Sequence, residues 1–464
     1  MTNTITLRIV VLVLGFGLAS CQEALKIDTP NLGIDKDLVY KNAVTATSAV
    51  TGIYNEMFDP AGFASGSNAS ITALAGLSAD ELAMYGDPNL PATEFYKNSI
   101  TPENYHISNL WNTAYKSIYE ANAVIDGLSR SPLPAAIRDP LKGEALFIRA
   151  FCHFYLVNLY GDVPIITSSD YANNAHVVRQ PADQVYNQIK TDLLAAQSLI
   201  QEAYAGEGRI RPNKFAATAL LARVYLYTQD WANAEAAASV VLANSNVYGL
   251  MADLNRVFLS TSTEAIWQLQ PVPQGSPTNE GYYFIITSAP QPNKYLLTHE
   301  LLDSFEESDN RALTWIGRAN LFDNVFYFPF KYKVSQPSGG NEYSMVLRLA
   351  EQYLIRSEAR ARQNKLSDAI KDIDMIRTRA GLSLLEATHP GILKDDLLLA
   401  IEAERKHELF AEWGHRWLDL KRTDRAITTL SLSKEDLSVD DLLYPIPAEE
   451  FKLNTSLGKQ NHGY

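Results

Sequence analysis

The sequence predicts a mainly α fold: a tetratricopeptide-like scaffold of helical hairpins with an irregular, loop-rich lobe packed on it. Two observations predict this. Apolar residues recur at spacings of three and four in several separated segments, the mark of helices with one buried face. Two other stretches, about 57–105 and 244–345, lose that period and turn rich in Pro, Gly, Gln, Asn and aromatics. The chain has 464 residues, 46% hydrophobic and 20% charged, which is too apolar for a disordered polymer.

At the N-terminus, Arg8 is the only charged side chain before Cys21, and an apolar run from Ile9 to Leu14 follows it. The run is too short to span a bilayer, which takes ~20 residues. It ends in Leu18-Ala19-Ser20-Cys21. Small residues before a cysteine resemble the bacterial lipobox, in which that cysteine is lipidated. The expected layout is a signal peptide over 1–20, a tether over 21–36 and one domain over 37–464.

Trp111, Tyr115, Ile118 and Asn122 mark one helix. Ala145, Ile148, Cys152, Tyr155 and Leu159 share a face of the next, between Leu141 and Leu159. Gly161-Asp162-Val163-Pro164 stops it, and Val163 to Ile166 reads as extended. Cys152 reads as a buried core thiol. Val185, Ile189, Leu193, Leu194 and Ile200 mark a third helix. Two hairpins follow: Ala222, Tyr225, Trp231, Ala234 and Val241 fit tetratricopeptide offsets, and Ser357, Leu366, Ala369 and Ile376 repeat them far downstream. Between the hairpins, Ala265 to Leu269 reads as a strand and Leu301 to Phe305 as a helical turn. Leu397 to Arg422 reads as one charged amphipathic helix ending in an aromatic turn. Glu404, Glu408 and Glu412 repeat at i,i+4, which is unfavourable unless cations intervene, and Arg405, Arg416 and Arg422 are at hand.

Composition and motifs exclude several functions. With 53 Asp+Glu against 40 Lys+Arg the formal charge is −13, unsuited to binding phosphate backbones. Two cysteines build neither a disulfide framework nor a cysteine zinc site. His407-Glu408 begins a metalloprotease pattern, but Ala411 stands where the second histidine is needed. Gly76 to Asp80 approximates a nucleophile elbow but ends in Asp where glycine permits the turn. No phosphate-cradling Gly-Lys-Ser/Thr loop is present. The expectation is therefore no catalytic residue, no metal and no cofactor. A glycosidase is the remaining enzyme reading, since pairs such as Asp80-Glu81 and Glu306-Glu307 supply carboxyls.

Several segments, in order, resemble the SusD/RagB family of Bacteroidetes outer-membrane lipoproteins. They are the lipobox, Gly143 to Phe151, Tyr160 to Pro164, Leu302 to Phe305 with Asp309-Asn310-Arg311, Tyr353 to Glu358, Glu404 to Arg422, Pro445-Ile446-Pro447 and Asn461 to Tyr464. His462 stands where proline is usual. The resemblance implies four tetratricopeptide-type helix pairs that pack against a SusC-like TonB-dependent transporter, and an irregular ligand-binding lobe. It also implies a non-catalytic protein that captures nutrients at the cell surface, mostly glycans and in some branches peptides.

Aromatics in the irregular stretches are the candidate glycan platforms. Pyranose rings present C–H faces that stack on Trp and Tyr, while polar side chains bond the hydroxyls. The candidates are Tyr85, Phe95, Tyr96, Tyr282, Tyr283, Trp315 and Tyr327, led by Trp315 and the Tyr282-Tyr283 pair, with Asp80 as a polar partner. Trp111, Trp231, Trp413 and Trp417 lie on scaffold segments and read as structural. A peptide ligand, or a tetratricopeptide scaffold that binds only proteins, are the alternatives.

Overall fold

The computed structural model describes residues 36–464 apart from 86, 88, 288–293, 322, 338 and 339. Cys21 and the expected signal peptide lie outside the described residues, as does the tether up to residue 35. The fold is mainly helical. Its long helices are α1 (Ala43–Met57), α2 (Ile71–Ser78), α3 (Tyr105–Ser129), α4 (Ala135–Tyr160), α5 (Ala182–Leu199), α6 (Lys214–Tyr227), α7 (Trp231–Leu242), α8 (Leu349–Arg362), α9 (Leu366–Ala380), α10 (Lys394–Leu409) and α11 (His415–Arg422).

From α3 to α9 each helix packs on the next in the chain. The distant hairpins α6–α7 and α8–α9 are therefore neighbours, because α7 lies directly against α8 and the intervening stretch is pushed out of the stack. Small residues allow this approach: Ala234, Ala238, Ala359 and Ala369 are all fully buried. Arg223 on α6 clamps Glu351 on α8 through two bonds of 2.6 and 2.7 Å. Within the second hairpin, the Ser357 hydroxyl donates to the Ala369 carbonyl at 2.8 Å. Helix α4 is buried from Gly143 to Val157, so the apolar stripe read in its sequence widens to the whole circumference. Cys152 lies inside it, fully buried, and burial pushes its thiol well above the usual range.

Residues 394–422 correct the single-helix expectation. The helix stops at Leu409, turns through Phe410–Gly414 and restarts as α11. Ala411, Trp413 and Gly414 have φ of 52, 49 and 68°. Tertiary bonds hold this turn: Ala411 N–H donates to Glu81 Oε2 (3.3 Å), Trp413 N–H to Thr72 Oγ1 (3.0 Å), and the Trp413 indole to the Met345 carbonyl (2.7 Å). A Cβ on Gly414 would lie 2.6 Å from the Ala75 methyl of α2, so only glycine fits.

The cations that neutralise the glutamate ladder also differ from expectation. Glu404 takes Arg311 and Arg377; Glu408 takes Arg311, Arg348 and Arg379; Glu412 takes Arg348 and Lys331. Arg405 and Arg422 instead hold Asp419, and Arg416 holds Asp80.

The stretches about 57–105 and 244–345 join each other. Strand β1 (Leu82–Met84) pairs antiparallel with β5 (Tyr295–Leu297), and β5 lies against β7 (Asn324–Pro329), which pairs with β6 (Ile316–Leu321); outside the lobe, the short β2 (Val163–Pro164) after α4 pairs with β3 (Arg179–Gln180). Strand β4 (Ala265–Leu269), read correctly from its apolar run, pairs with β8 (Ser344–Arg348) and returns the chain to α8. A separate small core of Ile285, Ile286, Phe326 and Phe328 sits within this lobe.

Candidate functional site

Within the lobe, the short helix Asn279–Phe284 is buried on one side and turns Tyr282 to solvent. Thr278 caps it, its hydroxyl accepting from Gly281 N–H at 3.1 Å. The Asn279 amide donates to the carbonyls of Phe58 (2.8 Å) and Ser65 (2.9 Å), fixing the turn to the loop after α1. A Cβ on Gly281 would fall 2.1 Å from the Val334 carbonyl, so the far side is equally tight. Tyr282 and Tyr283 therefore ride on a rigid mount. Their rings meet edge-on with centroids 5.0 Å apart. Tyr282 is 50% exposed and Tyr283 is half-buried. Lys294 braces the turn, donating to the carbonyls of Tyr282 (2.6 Å) and Ile285 (3.2 Å) with its ammonium 5.7 Å from the Tyr282 ring centre. Burial lowers that ammonium to about 8.

Beside this turn opens a cleft of about 380 Å³ lined by Glu56, Asp59, Phe63, Thr113, Lys116 and their neighbours. Asp59 is close enough to Tyr283 to raise its hydroxyl, after the larger effects of burial and Tyr282. Lys116 pairs with Glu56 and stands 4.0 Å from Glu120. Burial, then the Glu56 carboxylate, raises Glu120. The cleft thus offers carboxylates, an ammonium and a hydroxyl next to an aromatic pair. None of Glu56, Asp59 or Lys116 was legible as a site residue, because they come from separate segments without a shared motif.

The other expected residues separate into two groups. Tyr85, 38% exposed, follows β1 and packs edge-on against Phe326 of the small core at 5.2 Å. Tyr327 is half-buried on β7. Tyr96 is exposed, but its ring lies over Lys434, which donates to its carbonyl at 2.6 Å, beside the C-terminal segment. Phe95 is fully buried between His106 and Tyr444.

Trp315 and Asp80 need correction. Trp315 is 0% exposed. Its indole donates to the Leu254 carbonyl at 3.1 Å, and Lys331, Arg348 and Arg379 crowd its ring at 4.8, 6.0 and 5.7 Å. The ring covers the buried cations of the glutamate ladder and offers no face to a ligand. Asp80 is also interior: it accepts from Arg416 at 2.8 and 3.0 Å and from Lys406 at 3.0 Å. Burial alone would raise its carboxyl, but those cations hold it well below the usual carboxylate range.

Among the described residues no group of three His, Cys, Asp or Glu is placed to hold a metal ion. His407, the start of the metalloprotease-like pattern, shares a hydrogen bond with Ser304 (3.0 Å) and stacks near Phe305. No described helix is long and apolar enough to cross a membrane.

The stacked helices and the irregular lobe together follow an architecture shared with solved structures. Residues 35–226 match the family model described as "Starch-binding associating with outer membrane", and residues 322–464 match the SusD family model. The chain belongs to the SusD/RagB family. It is 24% identical to SusD-like protein P25 of Formosa agariphila, across 98% of this chain and 99% of that one. A SusD superfamily protein from Bacteroides vulgatus superposes with a TM-score of 0.81 at 20% identity, covering 92% of this chain and all (100%) of the other. A laminarin-binding SusD-like protein superposes at 0.76 with 23% identity, covering 92% and 100%.

Proposed function

We propose that this protein captures a glycan at the cell surface and delivers it to a SusC-like TonB-dependent outer-membrane transporter, without catalysis. The observation that carries the reading is the rigidly mounted Tyr282–Tyr283 pair beside the cleft of Glu56, Asp59 and Lys116. Two rings at right angles give one face for a pyranose and one edge to stop its sliding. The neighbouring carboxylates accept, and the ammonium donates, hydrogen bonds to sugar hydroxyls. Tyr85 extends the aromatic surface, and Lys294 sets the height of Tyr282. The mount is already bonded on both sides, so little ordering entropy is lost when ligand binds.

Cys21 is the proposed lipid attachment point, which holds the capture site at the outer membrane. The laminarin-binding relative supports a glucan as the first ligand class to try. Titration of the full chain in detergent with laminarin, starch fragments and a mixed peptide library tests the reading. Heat release with a polysaccharide and none with peptides is expected; binding of peptides alone would overturn the glycan assignment.

A further inference from the structure

A second cleft of about 260 Å³ opens on an adjoining side of α3. Trp111 and Tyr115 form its floor, with Ile166 and Leu457 behind. Tyr171, 82% exposed, and Leu453 stand at its rim. Most of its polar neighbours are already committed: Tyr115 donates to the Pro164 carbonyl (2.9 Å), Asn174 to Ser168 (2.7 Å) and Asn454 to Val177 (2.9 Å). Two groups differ. The Asn112 amide is exposed at the mouth. Glu450 is partly buried, with the Trp111 indole beside one side of its carboxyl.

We propose that this cleft is a second glycan subsite, taking a neutral gluco-oligosaccharide with Tyr171 as the stacking face and Asn112 and Glu450 as hydroxyl partners. The inference rests on the glycan reading above and adds a place for the same chain to bind twice. An aromatic floor meeting one free amide and one carboxyl that the Trp111 indole satisfies on one side only is the pattern of a sugar pocket; an apolar side chain from a protein partner would leave the Asn112 amide and the other side of the Glu450 carboxyl unmatched. Asn112 lies one turn before Lys116 on α3, so the two clefts flank one helix and a long polysaccharide can engage both. The second contact is then intramolecular, and avidity for the polymer exceeds that for a short fragment.

The test is calorimetry on the full chain in detergent, with short β-1,3- and α-1,4-linked gluco-oligosaccharides as probes. Four proteins are compared: the unmodified chain, Tyr171→Ala, Asn112→Ala, and the double variant Tyr282→Ala/Tyr283→Ala. Tyr171 and Asn112 are exposed, so folding is preserved. The expected result is two fragments bound per chain, falling to one in Tyr171→Ala, with at least a tenfold loss of affinity for intact polysaccharide. One fragment per chain, abolished by the Tyr282/Tyr283 variant and untouched by Tyr171→Ala, overturns the second site and leaves the first. One fragment abolished only by Tyr171→Ala overturns the first site and leaves the second. No binding of either probe overturns both. A concentration-dependent dimer lost in Tyr171→Ala, with one fragment per chain, assigns the cleft to a second copy and also overturns the proposal.

Discussion

Replacing Trp315 by alanine should destabilise the fold strongly and leave glycan affinity of the folded fraction unchanged. The ring is completely buried. An aromatic of this size buries ~200 Å², worth about 5 kcal/mol at ~25 cal/mol/Å². That agrees with the ~3–5 kcal/mol typical of emptying a Trp site in a core. The Leu254 carbonyl loses its donor, which adds ~1 kcal/mol or more. Lys331, Arg348 and Arg379 lose the ring they lie against. The sum is roughly 4–6 kcal/mol. Trp315→Phe keeps most of the volume and should cost only ~1–2 kcal/mol. Urea unfolding followed by near-ultraviolet circular dichroism gives the stability, and calorimetry on folded protein gives the affinity. An unchanged unfolding midpoint combined with lost glycan binding would refute the reasoning, because it would mean that the ring meets ligand.

Three further outcomes follow from the same structure. Glu408→Gln removes the carboxylate shared by Arg311, Arg348 and Arg379, all buried, and should cost about 3–5 kcal/mol in urea unfolding; a loss below ~1 kcal/mol would contradict the pairing. Glu81 is raised to about 8, first by burial and then by the Asp80 charge. The folded chain therefore holds a proton there that the unfolded chain has released above its ordinary carboxyl value, so stability falls as pH rises from ~4.5 to ~8 by ~1.4 kcal/mol per unit. Glu81→Gln should lose that slope, so the difference between the two stability profiles should change by ~1.4 kcal/mol per pH unit across this range, and parallel profiles would sink the assignment. Cys21→Ala should release the protein from the membrane fraction, and continued attachment of a processed variant would remove the lipid anchor from the account.

The scaffold was legible because burial imposes a period on helices. The stripes through Trp111–Asn122, Ala145–Leu159 and Val185–Ile200 fall on α3, α4 and α5. The direct packing of α7 on α8 was not, since no local pattern says which hairpins touch across a long insertion. The break at Phe410 was also hidden: Ala411 and Trp413 take positive φ through contacts with Glu81, Thr72 and Met345, all far away in sequence. At the candidate site, composition brought attention to aromatics in the loop segments but offered no means to sort them. Tyr282 and Trp315 look alike in sequence, being aromatics in aperiodic stretches. What separates them is a set of long-range partners: Trp315 roofs the arginines of the glutamate ladder, whereas Tyr282 is lifted outward by Asn279 and Lys294. The cations of that ladder were misassigned for the same reason, since nearest in sequence is not nearest in space.

The most direct test of the account is the affinity of the Tyr282→Ala/Tyr283→Ala chain for a neutral polysaccharide, measured beside the unmodified protein by calorimetry. Tyr282 is 50% exposed, Tyr283 is half-buried and neither belongs to the core, so the variant should fold with at most a small change in unfolding midpoint. Losing two stacking faces should weaken binding by roughly 1–3 kcal/mol, about a 5- to 150-fold fall. Equal affinity in the two proteins would contradict the claim that this pair is the platform on which the glycan is held.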